Sequence, residues 1–555
     1  MTRRIAATVS FLLQLVACSE GGPRTSESTH GGTIVIATTS EPDGLFPPTA
    51  LNVEARQATE LIYEYLADVG VEMNTIGDSG FARQLASAWV WSPDSLSISF
   101  RIHPDARWQD GKRVTSLDVA FSYDVYTDTA AGSTVASSLA DIDSVSTPDS
   151  STAVFRFARR TPHQFYDAAS LMLILPRHIL GAVNRDSMRT FAAREPPLGS
   201  GRFRLGKWTR GSHFELTAVE DHYRGRAMPD RVVWTITPEY QTAVTRLLGG
   251  AADVFPTVRQ ETIPQLTDRG DFNLVSLPGM DYAFMQFNLR DPLFAERPHR
   301  LFSSREMRRA ITMALDRGAM VKNLFDTLAS VSIGPTVRAF PTTDTSITQI
   351  PYNRAAAERL LDSLGWVREK SGGMRKRNGM SLSFELLVPV SSLSRMRLAV
   401  LLQEQLRQAG IEVVIEKMDY SAFSARQSAR SFDAALAAWH LGSSPAAVKV
   451  TWTSAAAEKG GLNYGAYRNP RFDALADSAV DARDMARSRE YFRRANQIIV
   501  DDAPAVWLYE PRTVLAIHDR IRFTPMRPNA WWLDIGNWSI PPAERLQRDS
   551  PPSRD

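Results

Sequence analysis

Gly201-Arg-Phe-Arg-Leu-Gly206-Lys207-Trp208 sets two glycines and a lysine at the spacing of a phosphate-binding loop. In such a loop small residues let backbone amides curl around phosphate, and a Ser or Thr after the lysine ligates magnesium. Here Trp208 holds that position, and the interior Arg-Phe-Arg-Leu alternates like a strand. The segment therefore reads as a strand, not a nucleotide site. The nine histidines include no H-E-x-x-H motif and no pair at helical spacing, so zinc has no chelating set. No G-x-S-x-G elbow supplies a nucleophile. Residue types that carry catalysis are present but not assembled, so the expectation is a protein that is not an enzyme and uses no cofactor or metal.

The one cysteine, Cys18, has a different chemistry in view. Arg3 and Arg4 precede a mostly apolar run from Ile5 to Ala17. A charged start, a short apolar core and small residues at its end describe a secretory signal peptide, and the run is shorter than the roughly 20 apolar residues of a membrane span. Leu15-Val16-Ala17-Cys18 resembles the lipobox of bacterial lipoproteins. That resemblance implies a lipidated Cys18 at the start of the mature chain. Residues 1–17 are then a signal peptide, and 18–32, rich in Ser, Gly and Glu, a flexible tether. The expected location is exported, lipid-anchored to a membrane and facing the periplasm or cell exterior. With no second cysteine, disulfides do not hold the exported part.

The 555 residues carry 64 Lys and Arg against 61 Asp and Glu, and removing Arg3 and Arg4 leaves 62 against 61. A near-neutral chain without a basic block is a poor nucleic-acid partner. Positioning elements are mixed α and β. Leu96, Ile98, Phe100 and Ile102 alternate as a half-buried strand, and Pro148 to Ser151 reads as a turn into the next one. Leu171 to Leu175 reads as a buried strand or helix segment. Met374 to Gly379 has the look of a hairpin turn. Ser303 with Glu306 forms a capping-box pattern for a helix stopped by Gly318. From Ser381 a strand, an amphipathic helix ended by Gly410 and a second strand form a βαβ unit, and residues 231–255 repeat that pattern. Two α/β lobes follow.

Residues 85–124 carry Leu85, Trp89, Asp94, Phe100, Arg101, Trp108, Asp110-Gly111, Asp118-Val119 and Phe121-Ser122-Tyr123. These landmarks resemble the signature of the family 5 extracellular solute-binding proteins of ABC transporters. Further blocks follow in order at 197–208, 283–294, 304–317, 351–366 and 501–511. The resemblance implies a hinged, clamshell, periplasmic-binding-protein fold of class α/β with an extra subdomain in the first lobe. On that basis the first lobe spans 33–285 (subdomain about 50–190), the second 286–510, a return to the first 511–540, and a disordered tail 541–555. Crossings between lobes are expected at Gln286-Phe287-Asn288 and Val506 to Pro511. The implied function is a monomeric receptor that closes over a small solute, a peptide by preference, and delivers it to a permease and ATPase complex. An oligosaccharide or metal-chelate cargo, a sensory role, and more remotely an α/β hydrolase are the alternatives.

The resemblance also implies where ligand binds. One segment is the loop with Ser40, Glu41, Pro42 and Asp43; the other contains Ala438, Trp439, His440, Leu441, Gly442 and Ser443. A lone His440 offers a metal no chelation. Peptide receptors of the family carry an Asp three residues after the tryptophan, opposite the peptide's ammonium; this chain has Gly442. A buried ammonium needs a counter-charge, so Glu41 or Asp43 is expected to supply it, or the amino terminus gains nothing.

Overall fold

The computed structural model describes residues 29–550 apart from 369, 371 and 459. Cys18 and the signal segment lie outside the described residues. The chain forms two lobes joined by one hydrogen-bonded sheet of twelve strands. In the first lobe, Thr33–Thr38 pairs in parallel with Arg231–Ile236 and Val254–Phe255, the parallel strand–helix–strand arrangement that the 231–255 pattern predicts. In the second, Ser383–Pro389 and Glu412–Met418 pair in parallel around the helix Leu393–Gln408. The burial pattern follows the alternation: Phe384, Leu386 and Val413 are fully or nearly fully buried.

The strand Ala505–His518 belongs to both lobes. Its first half pairs with Asp281–Phe287, and its second half with Phe272–Pro278 and Val254–Phe255. Asp281–Phe287 also pairs along its whole length with Ala434–His440, so it is a strand of the second lobe. The first crossing therefore falls at Gly279–Met280, ahead of Gln286–Asn288, and the second at Glu510–Pro511. The two crossings touch closely: a Cβ on Gly279 would stand 1.9 Å from the Pro511 carbonyl oxygen, so only glycine lets the backbones meet.

An antiparallel sheet of Ala86–Trp91, Ser97–Ile102, Thr152–Phe157 and Ile142–Asp149 builds the subdomain. Ile98, Phe100 and Phe155 share one buried apolar cluster with Ile34, Ile36 and Trp234, which ties the subdomain to the first lobe. The second lobe has its own clusters, and one of them takes in Met73 from the first lobe beside Met280, Tyr282 and Leu441. The lobes are thus in contact.

Several sequence expectations change in the structure. Leu171 to Leu175 forms neither strand nor helix; it is a mostly buried irregular segment in which Ile174 N donates to Glu64 O and Leu175 N to Ser122 Oγ. The helix cap is Ser304, not Ser303, because its hydroxyl is the one that accepts from Met307 N. That helix ends at Met313, and Gly318 lies inside the next one, Arg317–Phe325, which Asp316 caps. The hairpin near Met374 turns at Asn378-Gly379, both left-handed, as a tight two-residue hairpin requires. Phe203–Thr209 is a strand, so the glycine–lysine spacing there is structural coincidence.

Residues 541–550 are packed rather than a free tail. Asp549 is buried, accepts the Thr33 amide at 2.9 Å and pairs with Arg520 at 2.7 Å. Arg520 also reaches both oxygens of Asp253, which is fully buried, and the Thr33 carbonyl. At the other end of the expected tether, Gly31 donates to Met228 O and Gly32 packs on Ile540. The 541–550 segment is fixed by a buried ionic network that composition alone does not reveal.

Candidate ligand-binding site

The strand Ala434–His440 ends at the interface between the lobes, and the chain then bends through Leu441 to Ser444. Leu441 N is held by Met280 O, so the bend starts against the first crossing. Opposite it stand the short helix Gln164–Ser170 and residues 134–141 of the subdomain, with Tyr65 to Val69 beneath. Arg527 to Ala530, on the chain's return to the first lobe, closes one side. These elements enclose a cavity of about 740 Å³ walled by both lobes. That volume falls in the usual range for small-molecule sites, about 300–1,000 Å³.

His440, Leu441, Gly442 and Ser443 line this cavity. Ser443 accepts from Asn529 Nδ2 at 2.7 Å, a bond between the second lobe and the return segment. A Cβ on Gly442 would meet nothing within 4 Å, so the space a side chain would fill is open. His440 pairs with Asp281 at 3.2 Å. Ala438 and Trp439 stop short of the cavity; Trp439 is half-buried with its ring 6.1 Å from Tyr464. The loop Ser40 to Asp43 is elsewhere. Ser40 N reaches Thr38 Oγ1, Glu41 Oε2 accepts from Gly211 N, Pro42 O from Arg210, and Asp43 Oδ2 from Leu51 N. None of the four lines the cavity, so neither Glu41 nor Asp43 places a charge opposite Gly442.

The cavity's own charges come from residues that no motif marked. Asp68 pairs with Arg527 at 3.0 Å, Asp141 binds Arg159 through two hydrogen bonds of 2.8 Å, and Lys449 is committed to Asp477 at 2.7 Å. Glu60 accepts from Tyr65 and Trp532, and burial pushes its carboxyl up despite nearby Arg56 and Arg527. Burial, with Asp141 close by, pushes Asp167 up to about 8. Burial also holds His163 below its ordinary range. Among the described residues no group of three or more His, Cys, Asp or Glu is placed to hold a metal ion.

A two-lobed α/β chain with a cavity at the lobe interface is an arrangement made for enclosing a solute. The family model for bacterial extracellular solute-binding proteins, family 5 middle, matches residues 80–461. This chain belongs to that family.

Its relatives share its length as well as its fold. The oligopeptide-binding protein AppA of Bacillus subtilis is 25% identical over 543 residues, covering 94% of this chain and 96% of that protein. The structure of AppA in complex with a nonapeptide superimposes with a TM-score of 0.74 at 24% identity, covering 92% of this chain and 99% of that one. The substrate-binding protein CtaP of Listeria monocytogenes gives a TM-score of 0.78 at 21% identity, covering 92% and 99%. In this solute-binding family member, no helix among the described residues is long and apolar enough to cross a membrane.

Proposed function

We propose that this chain is an extracytoplasmic receptor that closes over peptides and passes them to an ABC permease and ATPase complex. The observation that carries the reading is the cavity of about 740 Å³ walled by both lobes, in a chain whose full-length relative is named an oligopeptide-binding protein. The receptor binds and releases its ligand unchanged; it is not an enzyme. Closure buries ligand between rigid bodies while the two crossings absorb the backbone change. Cargo is expected to co-purify: mass spectrometry of protein isolated without added solutes should find peptides, and glycans or a metal chelate in their place would overturn the reading. On stripped protein, a peptide pool should shrink the radius of gyration in solution scattering. It should also raise the melting temperature, because ligand at 100 times its dissociation constant stabilises by about 2.7 kcal/mol. An unchanged radius at saturation contradicts closure.

The Leu15-Val16-Ala17-Cys18 sequence supports a lipid anchor that holds the receptor on a membrane facing the periplasm or cell exterior. Holding it beside the permease raises its effective concentration there. Cys18→Ser should release the protein into the soluble fraction with an unchanged melting temperature. Fractionation after a high-salt wash checks this, since salt strips surface electrostatic attachment and leaves buried acyl chains in place. Membrane retention of the variant rules the anchor out.

A further inference from the structure

The charges that line the interlobe cavity do not balance one another. Each basic group there is committed to the protein itself. Arg527 holds Asp68, Arg159 holds both oxygens of Asp141 through its Nε and Nη2, and Lys449 holds Asp477. Arg56 lies over the Trp532 ring, beside Glu60. Not every acid is so paired. Asp167, on the helix Gln164–Ser170, lines the cavity without a hydrogen bond to its carboxyl group or an ion pair among the described residues. Its helix neighbour Tyr166 lines the same cavity as Leu441 to Ser444, the bend that carries Gly442. There the cavity has open space in place of a side chain.

We propose that Asp167 is the counter-charge for a primary ammonium group of the ligand, the amino terminus of a peptide, held across the cavity from Gly442. The assignment rests on the peptide-receptor reading and adds to it the group that fixes the ligand's polarity. It also relocates recognition from the second lobe to the subdomain of the first. A carboxyl in such a place, without a partner, is costly to ionise, which is why burial pushes Asp167 up to about 8 with Asp141 adding repulsion. The groups that share the cavity with it include Asp141, Arg159 and His163 from the subdomain, and Lys449 and Asp481 from the second lobe. Of these, only Arg159 lowers the Asp167 carboxyl, and its hydrogen bonds go to Asp141. At pH 7 the empty receptor therefore holds a proton on Asp167. An incoming ammonium keeps its own protons, and the Asp167 proton leaves to the buffer as the ion pair forms.

The test uses the whole protein and two probes, a pool of synthetic pentapeptides with free amino termini and the same pool acetylated. For the native protein, acetylation should weaken binding more than tenfold. Asp167→Asn keeps the side-chain volume and removes the charge, so both pools should bind it equally, near the affinity of the native protein for the acetylated pool. Asp167→Glu should restore the preference. Calorimetry of the native protein with the free pool at pH 7, in phosphate and in Tris, should show apparent enthalpies that differ by the ionisation heat of close to one proton. That readout needs no variant to fold. Equal binding of both pools by the native protein, a preserved preference in Asp167→Asn, or a buffer-independent enthalpy would overturn the assignment while leaving the peptide receptor in place. Failure of both pools to bind would overturn the peptide reading, and the ammonium assignment with it.

Discussion

Replacing Arg520 with alanine should lower the unfolding free energy by about 3–5 kcal/mol, the usual cost of stripping one partner from a buried ion pair. The guanidinium satisfies Asp253 at 2.8 and 2.9 Å, Asp549 at 2.7 Å and the Thr33 carbonyl at 3.0 Å. Without it two buried carboxylates face each other, and Arg548, at 2.5 Å from Asp253, reaches only one of them. Urea unfolding read by circular dichroism measures the loss. Arg522→Ala is the control. That arginine is half exposed and pairs with Glu544 at the surface, and surface pairs contribute at most about 1 kcal/mol. A loss below 1 kcal/mol for Arg520→Ala would mean that water or Arg548 replaces the guanidinium, and that the network does not hold the 541–550 segment in place.

Trp507→Ala should cost a similar amount, about 3–5 kcal/mol, for a different reason. The indole is 2% exposed, with ring centroids 5.0 Å from Trp452, 6.0 Å from Phe284 and 6.2 Å from Tyr282. Truncation removes the transfer energy of a large aromatic and leaves a cavity that neighbours on the strand Asp281–Phe287 and the helix Ala447–Trp452 cannot collapse into. Trp452 is further pinned by its bond to Tyr282 OH at 2.8 Å, which limits repacking. Trp507→Phe should recover a large part of the loss. The two alanine variants act in different lobes, so with no shared partner their effects should add in the double variant. Strong non-additivity would show that the crossings transmit strain between lobes.

Fold was legible in the sequence where local chemistry and tertiary demand agree. The alternation through Ser97–Ile102 and the helix between two parallel strands ending at Gly410, whose φ is +83°, needed no distant partner to be read. It was illegible where distant partners decide. Leu171 to Leu175 has the composition of a strand, but its amides go to Glu64 and Ser122. The end of the chain looks polar and free, but its Asp549 is taken by an arginine and an amide from two remote segments. The same division runs through the candidate site. Leu441 to Ser443 could be placed from the family resemblance, because they lie together in sequence. Asp167, Tyr166 and Arg527 could not, since only folding brings the subdomain, the second lobe and the return segment to one cavity. The cue for Asp167 was an omission, the missing acid at Gly442, and that says a partner is needed without saying where it is.

The link between Thr33 and Asp549 spans 516 residues, and this bears on the order in which the molecule can form. Its first strand waits for Arg231–Ile236 and Val254–Phe255, and the first lobe's sheet waits further for Ala505–His518. The second lobe draws nearly all its strands from one continuous stretch and can mature while the first is still incomplete. Contacts so distant in sequence close slowly, because the loop entropy must be met before they contribute. As the chain emerges from the ribosome, its beginning is therefore the last part to reach its native structure. Until residues 505–518 are available the first lobe keeps an unpaired edge, and until residue 549 an unfilled ionic pocket, a long interval in which a chaperone or a translocation channel can still hold the polypeptide unfolded.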